Sequence, residues 1–268
     1  MPELTGRLAA HPCFSSAGHG QFGRIHLPVA PRCNIQCAFC DRRYDCASES
    51  RPGVTSAVIT PQQAVQRTQE AIRREPRIRV AGIAGPGDPM ANPETFETLD
   101  LLRAAFPDLI LCTSTNGLQL EEGLERLLAA RLDTITITIN AATVETAEMV
   151  YAAVRWKGEL LPPEEGARLL LAQQRRALRL CARTGIAVKV NTVLIPGVND
   201  GEVAEIARLA AAETAAVMNV MPLIPCGSMA DRPAPTPEQL ERARAQAGTR
   251  MRLFLHCKQC RADACGLI

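Results

Sequence analysis

The chain has few aromatic residues, few histidines and no long apolar run. Phe, Trp and Tyr make up only 3% of its 268 residues, so Ala, Leu, Ile and Val must fill the core. No stretch approaches the roughly 20 apolar residues that span a bilayer. No basic run interleaves with aromatics and the net charge is only +2, so nothing points to a nucleic-acid surface. The opening residues include Glu3 and Arg7 and lack an apolar centre, unlike a signal peptide. The cytoplasm is therefore the expected compartment. With 47% apolar and 22% charged residues, the balance is that of a soluble globule.

Cysteine, by contrast, is plentiful. Eleven cysteines, an odd number without a secretory signal, argue against a disulfide framework and for metal or catalytic use. Cys33, Cys37 and Cys40 stand in a C-x3-C-x2-C run. A four-iron, four-sulfur (4Fe–4S) cluster takes four ligands, so three thiolates leave one iron open. An open iron is where S-adenosylmethionine (SAM) binds in radical SAM enzymes, and an electron passed to it releases a 5′-deoxyadenosyl radical. The competing readings are weaker. Structural zinc prefers four protein ligands in paired knuckles, and a ferredoxin would show a four-cysteine run.

Apolar runs alternate with amphipathic ones. Strands are expected over residues 24–29, 79–84, 109–114, 134–139, 187–195, 216–223 and 251–256. Helices are expected over residues 62–75, 95–105, 118–130, 164–184, 200–212 and 237–247. Thr60-Pro61 offers an N-cap and a first-turn proline to the first helix, and residues 134–139 are β-branched throughout. Such alternation predicts an α/β fold, a parallel sheet wrapped into a partial or complete TIM-like (βα) barrel. Chemistry in such barrels gathers at the carboxyl ends of the strands. There the cysteine motif follows the first strand, Gly85-Pro86-Gly87-Asp88 the second and Ser114-Thr115-Asn116-Gly117 the third. Asn140 follows the fourth, and residues 196–200 the fifth.

Each of these loops has two readings. Gly85 and Gly87 punctuate a turn, or let backbone carbonyls approach the SAM ammonium with Asp88 as acidic partner. Ser114 and Asn116 cap the next helix, or bond ribose or carboxylate. Asn191, inside a β-branched strand, must find partners if buried, which makes it a candidate ligand-facing residue.

The other cysteines are unevenly placed. Cys13 lies in His11-Pro12-Cys13, Cys46 lies just past the opening motif, and Cys112 sits near the carboxyl end of the third strand. Cys257 and Cys260 form a C-x2-C after the last expected strand, half of a zinc knuckle or a redox pair in isolation. Beside a cluster motif, the pair favours a second iron–sulfur site built from both termini. Cys181 reads as core and Cys226 is ambiguous. His26 sits within the first strand; a core histidine is the commoner outcome, but imidazole is an established iron–sulfur ligand. His11 and His19 lie in a Ser- and Gly-rich loop and read as exposed.

Taken together, these stretches resemble the NifB family, radical SAM maturases of the nitrogenase iron–molybdenum cofactor. The likeness runs from His11-Pro12-Cys13 through Cys33-Asn34-Ile35-Gln36-Cys37 and residues 44–53 to Ala84-Gly85-Pro86-Gly87-Asp88-Pro89. It continues through Ser114-Thr115-Asn116-Gly117, residues 154–158, residues 191–200 and Cys257-Lys258-Gln259-Cys260.

The resemblance implies one domain: a ligand segment at 1–23, a barrel at 24–256 and a ligand tail at 257–268. It implies a 4Fe–4S SAM cluster on Cys33, Cys37 and Cys40 and two further 4Fe–4S clusters as substrate. His26, Cys46 and Cys112 would hold one of these, and Cys13, Cys257 and Cys260 the other. The implied reaction fuses the pair around a SAM-derived carbide into an eight-iron, nine-sulfur precursor, the ninth sulfur coming from outside, with Glu49 and Ser50 assisting proton removal. Implied partners are Fe–S assembly proteins, an electron donor and cofactor carrier or scaffold proteins, since the carrier domain fused to some relatives is not expected here. Cys265 stands where a small apolar residue is expected. Two alternatives remain: a radical SAM enzyme on an organic or peptide substrate with relay clusters, and a non-enzymatic Fe–S scaffold.

Overall fold

The computed structural model describes residues 6–51 and 53–268. Residues 1–5 and Pro52 lie outside the described residues. With them go Glu3 of the signal-peptide argument, the start of the 1–23 segment and one residue of the 44–53 match.

Among the described residues, ten strands and seven α-helices follow in the order β1 (Gly23–His26), β2 (Ile35–Cys37), α1 (Pro61–Arg74), β3 (Ile78–Ile83), α2 (Pro93–Ala105), β4 (Ile110–Thr115), α3 (Leu120–Ala129), β5 (Thr134–Thr138), α4 (Val144–Val150), β6 (Tyr151–Trp156), β7 (Glu159–Leu160), α5 (Pro163–Ala182), β8 (Ala187–Leu194), α6 (Val203–Ala212), β9 (Val217–Pro222), α7 (Pro237–Gly248) and β10 (Cys265–Leu267). The main sheet has the order β10-β1-β3-β4-β5-β8-β9. Neighbours from β1 to β9 are parallel, and β10 adds an antiparallel edge. It is an open half-barrel, which decides between the partial and complete barrel expected.

Local chemistry accounts for the helix starts. Thr60 with Gln63, and Thr236 with Gln239, form reciprocal capping boxes before a first-turn proline. Alternate strand residues divide the sheet into two faces. The outer set, including Ile25, Ala81, Leu111, Ile135, Val188 and Val220, packs with helical Leu99, Leu127, Leu178 and Ile206 into the main apolar core. The inner set is largely polar. Parallel register puts His26, Gly82, Cys112 and Thr134 on one rung. Ser114, Thr136 and Lys189 occupy the next rung, and Thr138, Asn191 and Asn219 the one above.

Several expectations are corrected. The first strand ends at His26 rather than Val29, because Pro28 has no N–H to give the ladder. Ser114 lies in β4, within the strand expected over 109–114, and Thr115 extends that strand by one residue instead of opening the loop after it. Residues 251–256 form no strand: Leu253 makes a single bridge to Met218 before the chain leaves the edge. The middle of the cysteine motif is not loop but β2, paired antiparallel with β6 in a small second sheet with β7. The β6–β7 hairpin turns through Lys157 and Gly158, both at positive φ, the geometry of a two-residue hairpin turn.

Candidate functional site

Two adjoining cavities open inside the half-barrel. The first is lined by Cys33, Cys37, Cys40, Cys46, Gly87, Asp88, Ser114, Asn116 and Tyr151, among others. Its cysteine loop is held by backbone rather than by chance. Gln36 donates from Nε2 to the carbonyls of Cys37 (3.0 Å) and Cys40 (2.7 Å). Gly227 lies so close that a Cβ there would come within 2.7 Å of the Ala38 oxygen and 2.8 Å of the Cys40 oxygen. Ser228 Oγ donates to the Ala38 carbonyl (2.9 Å).

Gly87 is required by space: a Cβ there would lie 2.1 Å from the Arg32 carbonyl oxygen. The Asp88 carboxylate accepts from the Met90 N–H (2.9 Å), the Thr115 hydroxyl (3.0 Å) and the Asn116 N–H (2.6 Å). It therefore ties the β3 loop to the end of β4, and burial still pushes its pKa up to about 6. Asn116 donates to Asn34 Oδ1 (2.6 Å), and its Nδ2 stands 4.0 Å from Cys33 Sγ. It does not cap α3, whose N-cap is Gln119 without a side-chain bond.

Burial, then the nearby Asp88 carboxylate, pushes the Cys33 thiol up to about 12. Cys37 rises well above the usual thiol range through burial and the neighbouring thiols. Three such thiols ionise together only against a strong positive centre, which a metal cluster provides. The donor set fits that group. Among the described residues no three His, Cys, Asp or Glu side chains close on a single ion. The thiols border a cavity instead, as ligands of a many-atom cluster must.

The second cavity has His11, Cys13, Arg24, His26, Cys112, Lys189, Asn191, Cys257 and Cys260 among its walls. His26 and Cys112 flank Gly82, where an added Cβ would meet His26 Cδ2 at 3.3 Å and Cys112 Cβ at 3.7 Å. His26 Nδ1 lies 3.1 Å from the Arg261 carbonyl. A carbonyl only accepts, so Nδ1 carries the proton and Nε2 keeps its lone pair. Burial, then the Arg24 charge, drops the His26 pKa to about 3, so the ring stays neutral and fit to ligate. Cys13 and Cys257 pack beside Phe14 and Phe254.

The tail that carries Cys257 and Cys260 is tied down, a point the sequence left open. β10 pairs with β1, the His26 N–H donates to the Ala264 carbonyl (2.8 Å), and the Ala262 N–H donates to Asp45 Oδ2 (3.2 Å).

Glu49 and Ser114 line both cavities. Glu49 Oε1 accepts from Thr138 Oγ1 (3.1 Å) and Asn191 Nδ2 (3.0 Å), and burial pushes its pKa up to about 7. A carboxyl with that value exchanges protons near neutrality.

Not every expected residue gathers as expected. Ser50 is buried but lines neither cavity, and its Oγ has no partner. Cys46 shares the first cavity with Cys33 and Cys40 rather than the second with His26 and Cys112. Gly85 lines neither cavity. Among residues 196–200, Asn199 braces Asn140 and Val193 through their carbonyls (2.8 Å each) and lines neither cavity. His11 is buried rather than exposed, Cys181 is core as expected, and Cys265 is exposed. Sequence reading missed Gln174, which donates from α5 to the Asn116 and Thr138 carbonyls, and also Asp45, Arg24 and Lys189. Lys189 had a signal: a charge between Val188 and Val190 in an apolar strand.

A half-barrel with the Cys33, Cys37 and Cys40 thiols on one cavity at its mouth defines a class, and the comparisons agree. The radical SAM superfamily model matches residues 27–210, and the chain belongs to that superfamily. The fold is shared with Streptococcus suis SuiB (TM-score 0.61, 13% identity, 89% of this chain and 51% of that one). It is shared also with the methylornithine synthase PylB (TM-score 0.54, 16% identity, 92% and 67%).

More narrowly, the chain belongs to the NifB family. It is 44% identical to the FeMo cofactor biosynthesis protein NifB of Klebsiella pneumoniae, over 100% of this chain and 58% of that protein. It is 42% identical to the protein of that name from Methanocaldococcus infernus, over 100% and 89%. The chain spans little more than half the length of several relatives it matches, such as that of Azotobacter vinelandii (43% identity, 55% of its length). Among the described residues no helix is long and apolar enough to cross a membrane.

Proposed function

We propose that this protein fuses two 4Fe–4S clusters, its substrate, around a SAM-derived carbide to make an eight-iron precursor of the nitrogenase cofactor. The observation that carries the reading is the pair of adjoining cavities: one holds the three-thiol motif, the other gathers His26, Cys112, Cys13, Cys257 and Cys260, and Glu49 stands in the wall between them. Cys33, Cys37 and Cys40 would hold a 4Fe–4S cluster that, with SAM bound, would supply methyl transfer and radical chemistry.

The chain's own residues do the rest. Gly87 leaves room for the close loop crossing, and Asp88 acts by positioning Asn116 rather than as a free acid. Ser114 and Asn116 line the SAM side, while Asn191 orients Glu49, which takes protons as the substrate carbon loses them. Cys13, Cys257 and Cys260 hold one substrate cluster; His26 and Cys112 hold the other. Cys46, on the first cavity, is the remaining candidate for that second set. The neutral His26 imidazole leaves iron more easily than a thiolate does, which suits a ligand whose cluster must be released. Substrate clusters come from Fe–S assembly proteins, electrons from a separate donor, and the product passes to carrier or scaffold proteins.

The test is anaerobic reconstitution followed by iron analysis and electron paramagnetic resonance, before and after SAM with reductant. About twelve irons per chain, with both S-adenosylhomocysteine and 5′-deoxyadenosine released, is the expected result. About four irons with deoxyadenosine alone would leave a simpler radical SAM enzyme. Clusters without SAM cleavage would leave a scaffold.

A further inference from the structure

We propose that Arg24, Lys189 and His11 form an anion-receiving wall in the second cavity, a site for a compact, multiply charged anion rich in hydrogen-bond acceptors. Arg24 is 3% exposed, Lys189 7% and His11 2%. Buried Arg and Lys side chains are nearly always paired, and elsewhere in this protein they are: Arg103, equally buried, meets Asp133 at 2.8 Å. Among the described residues neither Arg24 nor Lys189 has an ion pair.

Each of the three presents a donor with no acceptor. Arg24 Nε is buried without a partner. Lys189 Nζ stands 5.2 Å from the centroid of the Phe14 ring, which shields one side of the ammonium without accepting a hydrogen bond. His11 Nδ1 accepts the Cys13 N–H (3.1 Å), so the neutral ring carries its proton on Nε2, and that atom is buried without a partner. The acid in the cavity, Glu49, spends Oε1 on Thr138 and Asn191.

These donors come from β1, β8 and the N-terminal segment, yet all three face one cavity. Two full charges and an extra N–H donor, left unsatisfied by the protein, are complementary to a polyanion rather than to a neutral molecule. Two sources carry that chemistry: a free inorganic oxyanion, or the negatively charged, thiolate-held substrate cluster. The second source rests on the function proposed above.

The experiment has two arms, run on wild type, R24Q, K189M, H11F and the conservative K189R, with circular dichroism as the folding control. In the first, cluster-free reduced protein is titrated calorimetrically with sulfate and with phosphate at constant ionic strength. Binding weakened at least tenfold in R24Q and K189M, about the cost of one charge-assisted hydrogen bond, less in H11F and retained in K189R identifies the free oxyanion. In the second, the proteins are reconstituted with iron and sulfide. Iron lost in R24Q and K189M, kept in K189R, with the SAM-responsive resonance intact, identifies the cluster as the anion.

Folded variants that match wild type in both arms overturn the proposal. If wild type itself takes up only about four irons, the proposed function fails while the oxyanion arm still decides this one.

Discussion

The two cavities are built in opposite ways. The first draws most of its wall from one stretch, Cys33 to Glu49, closed by short loops after β3 and β4. The second takes its wall from the N-terminal segment, β1, β4, β8 and the C-terminal strap, with Cys13 and Cys257 at opposite ends of the chain. A site encoded in contiguous residues survives changes elsewhere. One assembled from distant segments depends on the whole sheet and on the β10–β1 pairing that pins the tail. Thus the first cavity is expected to be the robust one and the second the labile one, which is what the proposed function asks of a resident cofactor beside a cargo that must leave.

The largest effect that separates them is loss of a motif thiol. Cys37→Ala should abolish SAM cleavage and remove about four irons per chain while the second cavity keeps its own; loss of all iron would erase the distinction. Next comes the combined change His26→Ala with Cys112→Ala. It should cost about four irons and all precursor formation, yet leave reductive SAM cleavage running. Unchanged iron and precursor would remove both residues from the ligand set.

Gly87→Ala acts on the first cavity alone. The added methyl meets the Arg32 carbonyl and should destabilise the fold by about 1–3 kcal/mol and weaken SAM binding, read by denaturant melts and equilibrium dialysis. Gly82→Ala is its milder counterpart in the second, because at 3.3 Å the His26 ring needs to move only slightly. Iron retention should fall a few-fold with SAM affinity unchanged.

The smallest expected effect is on pH. The folded-state pKa of Asp88 is raised above its ordinary value to about 6, so the native state binds more protons than the unfolded chain between roughly pH 4 and 6. Stability of the cluster-free protein should therefore fall as pH rises through that window. Asp88→Asn should flatten the fall, at the cost of about 1–3 kcal/mol for a donor left unsatisfied. A denaturation midpoint that rises over the same window in wild type would contradict it.

Legibility followed the same divide. Helix starts at Pro61 and Pro237 were readable because their signals are local: a threonine cap, a proline and a glutamine three residues past the cap. The three-thiol motif was readable because its spacing is itself the chemistry. The short strand β2 was not, since a three-residue strand carries no periodicity and exists only through its pairing with β6. Ser50 looked like a neighbour of the reaction by sequence distance, but the turn that follows Cys46 sends it into the interior instead.

By itself, the sequence determined the parallel α/β alternation, the three-thiol motif of the first cavity and the family, because each rests on residues a few positions apart or on the order of elements. Tertiary structure alone decided that the barrel stays open, that His26 and Cys112 share a rung across Gly82, and that Cys46 sides with the first cavity. It alone buried Arg24, Lys189 and His11 around one space. Those outcomes depend on strand register and on which segments the tail crosses, and neither is a local property of the chain.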